Sequence, residues 1–284
     1  MNTAFKRTLL SSLIVPFALG VQTASAAMIT EWGFNADSDF DVNNVQFDDK
    51  GTAGITGTNV TSQEISWGGP APERSSVGIT DASATGGVLT NSASWTYGGV
   101  FTHDNQTINA NYDTLDSFNL ISQLTLTPVE PQPIPGGGGD QQLAPITFLN
   151  LFIETLNAGN CFVGSASTCD DIFTINNPGQ LGLTEVDSDI PLSQIVAPSF
   201  TIEDYAYTVF LQLEGIGKLT DDQCDVAGAD NGCFGLITLE GQENNFNTRF
   251  RIAATQVPEP GTLALLGMGL AGLGLARRRK AANA

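Results

Sequence analysis

The stretch TVFLQLEG, residues 208–215, sets Val209, Leu211 and Leu213 against Thr208, Phe210 and Gln212. NFNTRFRIA repeats the alternation, with Phe246, Phe250 and Ile252 on one parity and Asn247, Arg249 and Arg251 on the other. A period of two sends successive side chains to opposite faces of a strand, so these segments bury one face and wet the other. ITFLNLFIE, residues 146–154, is apolar at both parities and suits a central strand. Turn chemistry such as WGGP, TYGG, NNPG and ADNG recurs between the runs. Away from its two ends the chain carries no long helical period. The expected fold is all-β, a single antiparallel β-sandwich. PVEPQPIPGGGGDQQLAP, residues 128–145, would link two domains only if each half had its own core. Neither does, so it reads as a long surface loop.

Both ends break this pattern. Lys6 and Arg7 precede an apolar run from Thr8 to about Leu19, and TASAA supplies small residues at Ala24 and Ala26. That order is a secretory signal peptide, residues 1–27, cut by signal peptidase after Ala26 or Ala27. At the other end, Val257-Pro258-Glu259-Pro260 precedes an apolar segment, Thr262 to Ala276, which would span roughly 22 Å as a helix. A bilayer core of roughly 30 Å is thicker than that, so the segment is short for a permanent anchor. Arg277, Arg278, Arg279 and Lys280 then form a stop cluster that would stay cytoplasmic. A short apolar tail behind a polar domain has the form of a removable sorting signal.

The tetrapeptide, the short helix and the arginine cluster, in that order over residues 257–284, resemble the bacterial PEP-CTERM sorting signal. The resemblance implies transient membrane insertion, cutting at the motif by an exosortase, and a host that makes extracellular polysaccharide. It leaves residues 28–256 as the exported domain. That interval holds 29 acidic and 5 basic side chains, a formal charge of −24. Such a surface repels nucleic acid and anionic lipid and favours solubility, divalent cations and neutral or basic partners.

Four cysteines fall into two local pairs, Cys161 with Cys169 and Cys224 with Cys233. In an exported chain this spacing predicts two disulfides. Zinc is the rival reading, but neither spacing is short enough and the chain has one histidine.

That histidine, His103, lies in GGVFTHDNQTI, where a polar turn is expected after an apolar strand start. As a base or ligand it would need a partner, and Asp104 beside it on an extended chain points to the opposite face. The structural reading is favoured, with these side chains satisfying backbone groups at a strand end. Thr102-His103-Asp104-Asn105 resembles the motif of the THxN family of PEP-CTERM proteins. The likeness extends through ISWGGP (65–70), LTLTPV (124–129), IETLNAGNC (153–161), CDDIFTI (169–175), YTVFLQL, GCFGLITLE and NNFNTRFRI. Family members often carry proline where Leu156 stands. The resemblance implies export and a β-rich domain and carries no activity.

Two acidic runs invite a calcium reading. Asp37, Asp39, Asp41 and Asn43 alternate, with Asp48 beyond, but Val42 stands where a calcium loop needs glycine. Asp221, Asp222, Asp225 and Asp230 surround the second cysteine pair. Solvated carboxylates explain both runs, so neither is assigned a metal. Trp32, Trp67 and Trp95 could stack on sugars, although large aromatics in a sandwich more often form core. No nucleophile elbow, phosphate loop or zinc-protease helix occurs. The expectation is therefore a non-enzymatic surface or matrix protein, with no catalytic residue and no cofactor. The alternatives are a glycan-binding or calcium-dependent adhesion module and, behind it, a polysaccharide hydrolase, with extracellular polysaccharide as the partner.

Overall fold

The computed structural model describes residues 26–48, 50, 58–155, 161–166, 169–181, 183–185, 193–196 and 199–257, with 267, 269, 270 and 272 in the tail. The expected signal peptide up to residue 25, Pro258-Glu259-Pro260, most of the apolar tail segment and the cluster Arg277–Lys280 lie outside the described residues. So does Leu156. Among the described residues no helix is long and apolar enough to cross a membrane.

The alternating segments form strands as the parity argument requires. In chain order they are β1 (Glu31–Asp48), β2 (Asn59–Val60), β3 (Glu64–Gly68), β4 (Arg74–Leu89), β5 (Thr96–Asn105), β6 (Thr114–Glu130), β7 (Gln141–Gln142) and β8 (Ile146–Ile153). They continue as β9 (Asp171–Ile175), β10 (Thr184–Glu185), β11 (Ser193–Val196), β12 (Phe200–Ile202), β13 (Tyr205–Leu213), β14 (Gly217–Lys218), β15 (Phe234–Thr238) and β16 (Gln242–Gln256). Among the described residues two short α-helices, α1 (Pro178–Leu181) and α2 (Asp221–Val226), and a 3-10 turn at Pro135–Gly137 interrupt them. All ladders between named strands are antiparallel.

The sheet is continuous and curls into two facing layers. One layer runs β11-β13-β16-β5-β4 and the other β1-β6-β8-β9-β15-β14. Strand β4 joins them, because Ser76–Asp81 pair with β5 whereas Ala82 to Leu89 pair with β1. A strand of 16 residues is long enough to serve both layers. The 128–145 segment stays with the sandwich: Gln141 and Gln142 of β7 fold back to pair with Leu126 and Thr125 of β6.

Two larger hydrophobic clusters and a smaller one, Ile175, Leu181 and Ile216, pack between the layers. At one end Trp32 and Phe34 of β1 and Leu126 of β6 meet Tyr207 and Val209 of β13 and Phe250 and Ile252 of β16. The Tyr207 hydroxyl accepts the backbone N–H of Ile29 at 2.8 Å, so its one polar atom is satisfied inside this core. At the other end Phe40, Ile65, Trp67, Phe101, Phe118, Phe152, Phe173 and Leu236 pack together. Trp32 and Trp67 are fully buried and unavailable as sugar platforms. Trp95 instead lies on the outer face, with the Arg251 and Arg249 guanidinium groups 4.9 and 5.6 Å from its ring centre.

Gly235 fixes the spacing of β15 against β9. A Cβ there would lie 2.1 Å from the Phe173 carbonyl oxygen and 2.8 Å from Leu219 Cδ1. Backbone cannot yield that far, so Gly235→Ala is expected to lower stability by about 2–4 kcal/mol in urea unfolding. A change below about 0.5 kcal/mol would mean that the two strands are not so closely apposed.

Candidate functional site

One end of the sandwich collects polar groups from both layers. Ile153 pairs with Ile172 across β8 and β9, and Asp171 pairs with Thr238 across β9 and β15. Glu154, the residue after β8, therefore falls beside Asp171. The turn from Thr238 to Gln242 crosses from β15 in one layer to β16 in the other. It carries Glu240 and ends where Gln242 pairs with Asn105, the last residue of β5.

One carboxyl oxygen from each of Glu154, Asp171 and Glu240 lies within 4.8 Å of the other two. Each is oriented by hydrogen bonds that the fold supplies. The Trp67 indole Nε1 donates to Glu154 Oε2 at 3.0 Å, and the Thr155 backbone N–H donates to Asp171 Oδ1 at 2.8 Å. The Thr107 hydroxyl donates to Glu240 Oε1 at 2.9 Å, and the Asn105 side chain also bonds the Glu240 carboxyl. The remaining oxygens Glu154 Oε1 and Asp171 Oδ2 are buried without a hydrogen-bond partner, as is Asn105 Oδ1.

The disulfide Cys161–Cys169 restrains the segment between Glu154 and Asp171. The Thr155 hydroxyl, donating to the Cys169 and Asp170 carbonyls, ties the two sides of that segment together. The second disulfide, Cys224–Cys233, fastens α2 to the residue before β15. Both pairings are the local ones expected from spacing.

Burial decides the electrostatics. It pushes the Glu154 carboxyl up to about 8 against the opposing Trp67 hydrogen bond, with Glu240 adding repulsion. Asp171 is raised well above the usual carboxylate range, first by burial and then by Glu154, with the Thr155 N–H pulling the other way. Burial also raises Glu240, opposed by Thr107 and Asn105. His103, wholly enclosed, is lowered to about 3 and is neutral at pH 7. An oxygen-only cluster of this kind can hold a shared proton or a hard cation.

His103 departs from the expected polar turn. It lies within β5 and is fully buried, because Phe101, His103 and Asn105 share the inward parity of that strand. Its ring stacks on Trp67 at 5.6 Å and meets Phe173 and Phe152 edge-on at 5.0 and 5.5 Å. Nδ1 lies 2.9 Å from the Thr238 hydroxyl, and Asn105 Nδ2 donates to the Thr238 carbonyl at 3.4 Å. Thr102 takes the outer parity and donates to Asn245 Oδ1 at 2.7 Å. Asp104 accepts from Gln106 rather than approaching His103.

Five members of the two acidic runs serve local structure. Asp41 occupies a bulge between Phe40 and Val45 in the β1–β6 ladder. There it accepts the Asn43 N–H at 3.1 Å and the Asn44 amide at 2.6 Å. Asp39 accepts from Gln63, and Asp48 pairs with Lys50. Asp221 and Asp222 stand in the first turn of α2, behind a Thr220–Gln223 capping box, where acidic groups complement the helix dipole.

Spacing did not single out Glu154, Asp171 and Glu240. A signal was nevertheless present: they lie in IETLNAGNC, CDDIFTI and GCFGLITLE, and Trp67 in ISWGGP, all stretches that carry the family resemblance.

The family model of the PEP-CTERM protein-sorting motif matches residues 256–280. No curated protein shows significant similarity to the chain. The motif marks an exported protein that an exosortase sorts and processes.

Proposed function

We propose that this is a non-enzymatic protein of the cell surface or extracellular matrix, released as an intact β-sandwich when its tail is removed. The observation that carries this reading is where the sorting motif begins. The match starts at residue 256, the last residue of β16, and the N–H of Val257 still bonds the Asp204 carbonyl at 2.7 Å. Strand β16 is central to its layer, flanked by β13 and β5. Cutting within the motif therefore leaves every strand in place. The Asp204 side chain also accepts the N–H of Ala26, so both processing points sit at one end of the domain.

The acidic cluster lies toward the opposite end, where Gln242 begins β16. Fourteen residue steps separate it from Gln256, roughly 45 Å at about 3.3 Å per residue. A domain tethered at the sorting end would present this end outward. Fractionation of the native host, with mass spectrometry of the mature C-terminus, tests the route. The expected product ends within the VPEP region, and Arg277 to Arg279 changed together to alanine should impair sorting. Full-length protein held stably in the inner membrane of an exosortase-positive host would defeat the proposal. Turnover of the host's polysaccharide, abolished by one carboxylate substitution, would replace the non-enzymatic reading with a hydrolase.

A further inference from the structure

We infer that Glu154, Asp171, Glu240 and the Asn105 amide oxygen form a calcium-binding site joining the two layers at the end of the sandwich remote from the sorting motif. Two oxygens bound to one calcium at 2.3–2.6 Å, the usual range, stand no more than about 4.6–5.2 Å apart. The three carboxylates meet that limit, since their candidate oxygens all lie within 4.8 Å.

An independent observation comes from Asn105. This residue is fully buried, its side chain reaches the Glu240 carboxyl, and its Oδ1 has no hydrogen-bond partner. Leaving a buried acceptor empty is destabilising, and Glu154 Oε1 and Asp171 Oδ2 are in the same condition. A single shared proton bridges one pair of oxygens, whereas a cation is coordinated by all of them. The Trp67 and Thr155 N–H donors then act as an outer shell, turning the other oxygen of each carboxylate away from the ion.

Ligand chemistry selects the ion. The donors are carboxylate and amide oxygens, without thiolate, so a hard cation fits better than zinc or copper. Three carboxylates and one amide in an irregular set, completed by water, suit the 6–8 flexible positions of calcium. They suit the strict octahedron of magnesium less well. Access runs past the half-buried Glu240 and the exposed Thr107. The binding residues come from β5, β9, the end of β8 and the β15–β16 turn, so a bound ion would add a clamp between the layers beside the His103 and Asn105 bonds to Thr238.

Terbium luminescence tests the site, because Trp67 bonds directly to a proposed ligand and can sensitise an ion there. The processed protein, stripped with a chelator, should show terbium emission that calcium displaces and that Trp67→Phe largely removes. Calcium at a hundredfold excess over its Kd should raise Tm by on the order of 5–10 °C, with magnesium giving less. Asp171→Asn and Glu240→Gln should each weaken calcium binding at least tenfold. Glu240 lies on the rim, so its variant remains informative if the Asp171 variant folds poorly. No calcium-dependent change in Tm at millimolar free calcium would overturn the inference. So would binding retained at full strength by both carboxylate variants, which would place the ion away from the cluster.

Discussion

Replacing His103 by alanine should lower the stability of the domain by about 3–5 kcal/mol and Tm by roughly 10 °C. The ring fills a slot between Trp67, Phe152 and Phe173, and its removal leaves a void that stacked aromatics cannot close. It also deprives the buried Thr238 hydroxyl of a bond at 2.9 Å. Asn105→Ala should cost less, about 1–3 kcal/mol, since it gives up the bond to the Thr238 carbonyl but little packing. Thr102→Ala loses one bond on the outer face and should stay within about 0.5 kcal/mol. Urea unfolding of the three variants gives the order directly. If the Thr102 and His103 variants lost equal stability, the inward placement of His103 would be refuted.

The same residues show what a linear reading can reach. Val209, Phe250 and Ile252 were identifiable as core because a strand sorts its side chains by parity, and parity is written in consecutive residues. Local disulfides were legible for a similar reason, since loops of 8 and 9 residues leave little choice of partner. His103 was misplaced because Thr102, Asp104 and Asn105 are polar, and a polar run resembles a turn. Its inward parity with Phe101 became meaningful only once the strand was seen to continue through Asn105. The acidic cluster was harder still. Glu154, Asp171 and Glu240 are brought together by three ladders and by a turn that passes from one layer to the other. Nothing in local spacing encodes the point at which β4 leaves one layer for the other. Meanwhile the conspicuous acidic runs, which do have regular spacing, serve a bulge and a helix start.

Stability of the chelated protein should fall on both sides of a mildly acidic optimum, and the two limbs should belong to different residues. Glu154 has a folded pKa of about 8 against an ordinary 4.5. The folded state therefore holds a proton that the unfolded state releases, and this contribution, full below pH 4.5, is lost as pH rises through 8. Asp171 acts in the same direction. His103 works oppositely, because its folded pKa of about 3 lies below its ordinary 6.5. The unfolded chain then takes up a proton that the folded one refuses, so stability falls as pH drops from 6.5 toward 3. Between 4.5 and 6.5 the slopes of Glu154 and His103 oppose one another. Above 6.5 Glu154 acts without that opposition, at up to about 1.4 kcal/mol per pH unit. Glu154→Gln keeps an acceptor for the Trp67 N–H and cannot ionise, so it should reduce the slope of the alkaline limb while sparing the acid one. His103→Phe keeps an aromatic ring in the slot and should flatten the acid limb while sparing the alkaline one. Thermal melts from pH 3 to pH 9 in chelator provide the measurement. An alkaline limb that survives in Glu154→Gln at full slope would show that the cluster is already ionised in the folded protein and held by some other charge.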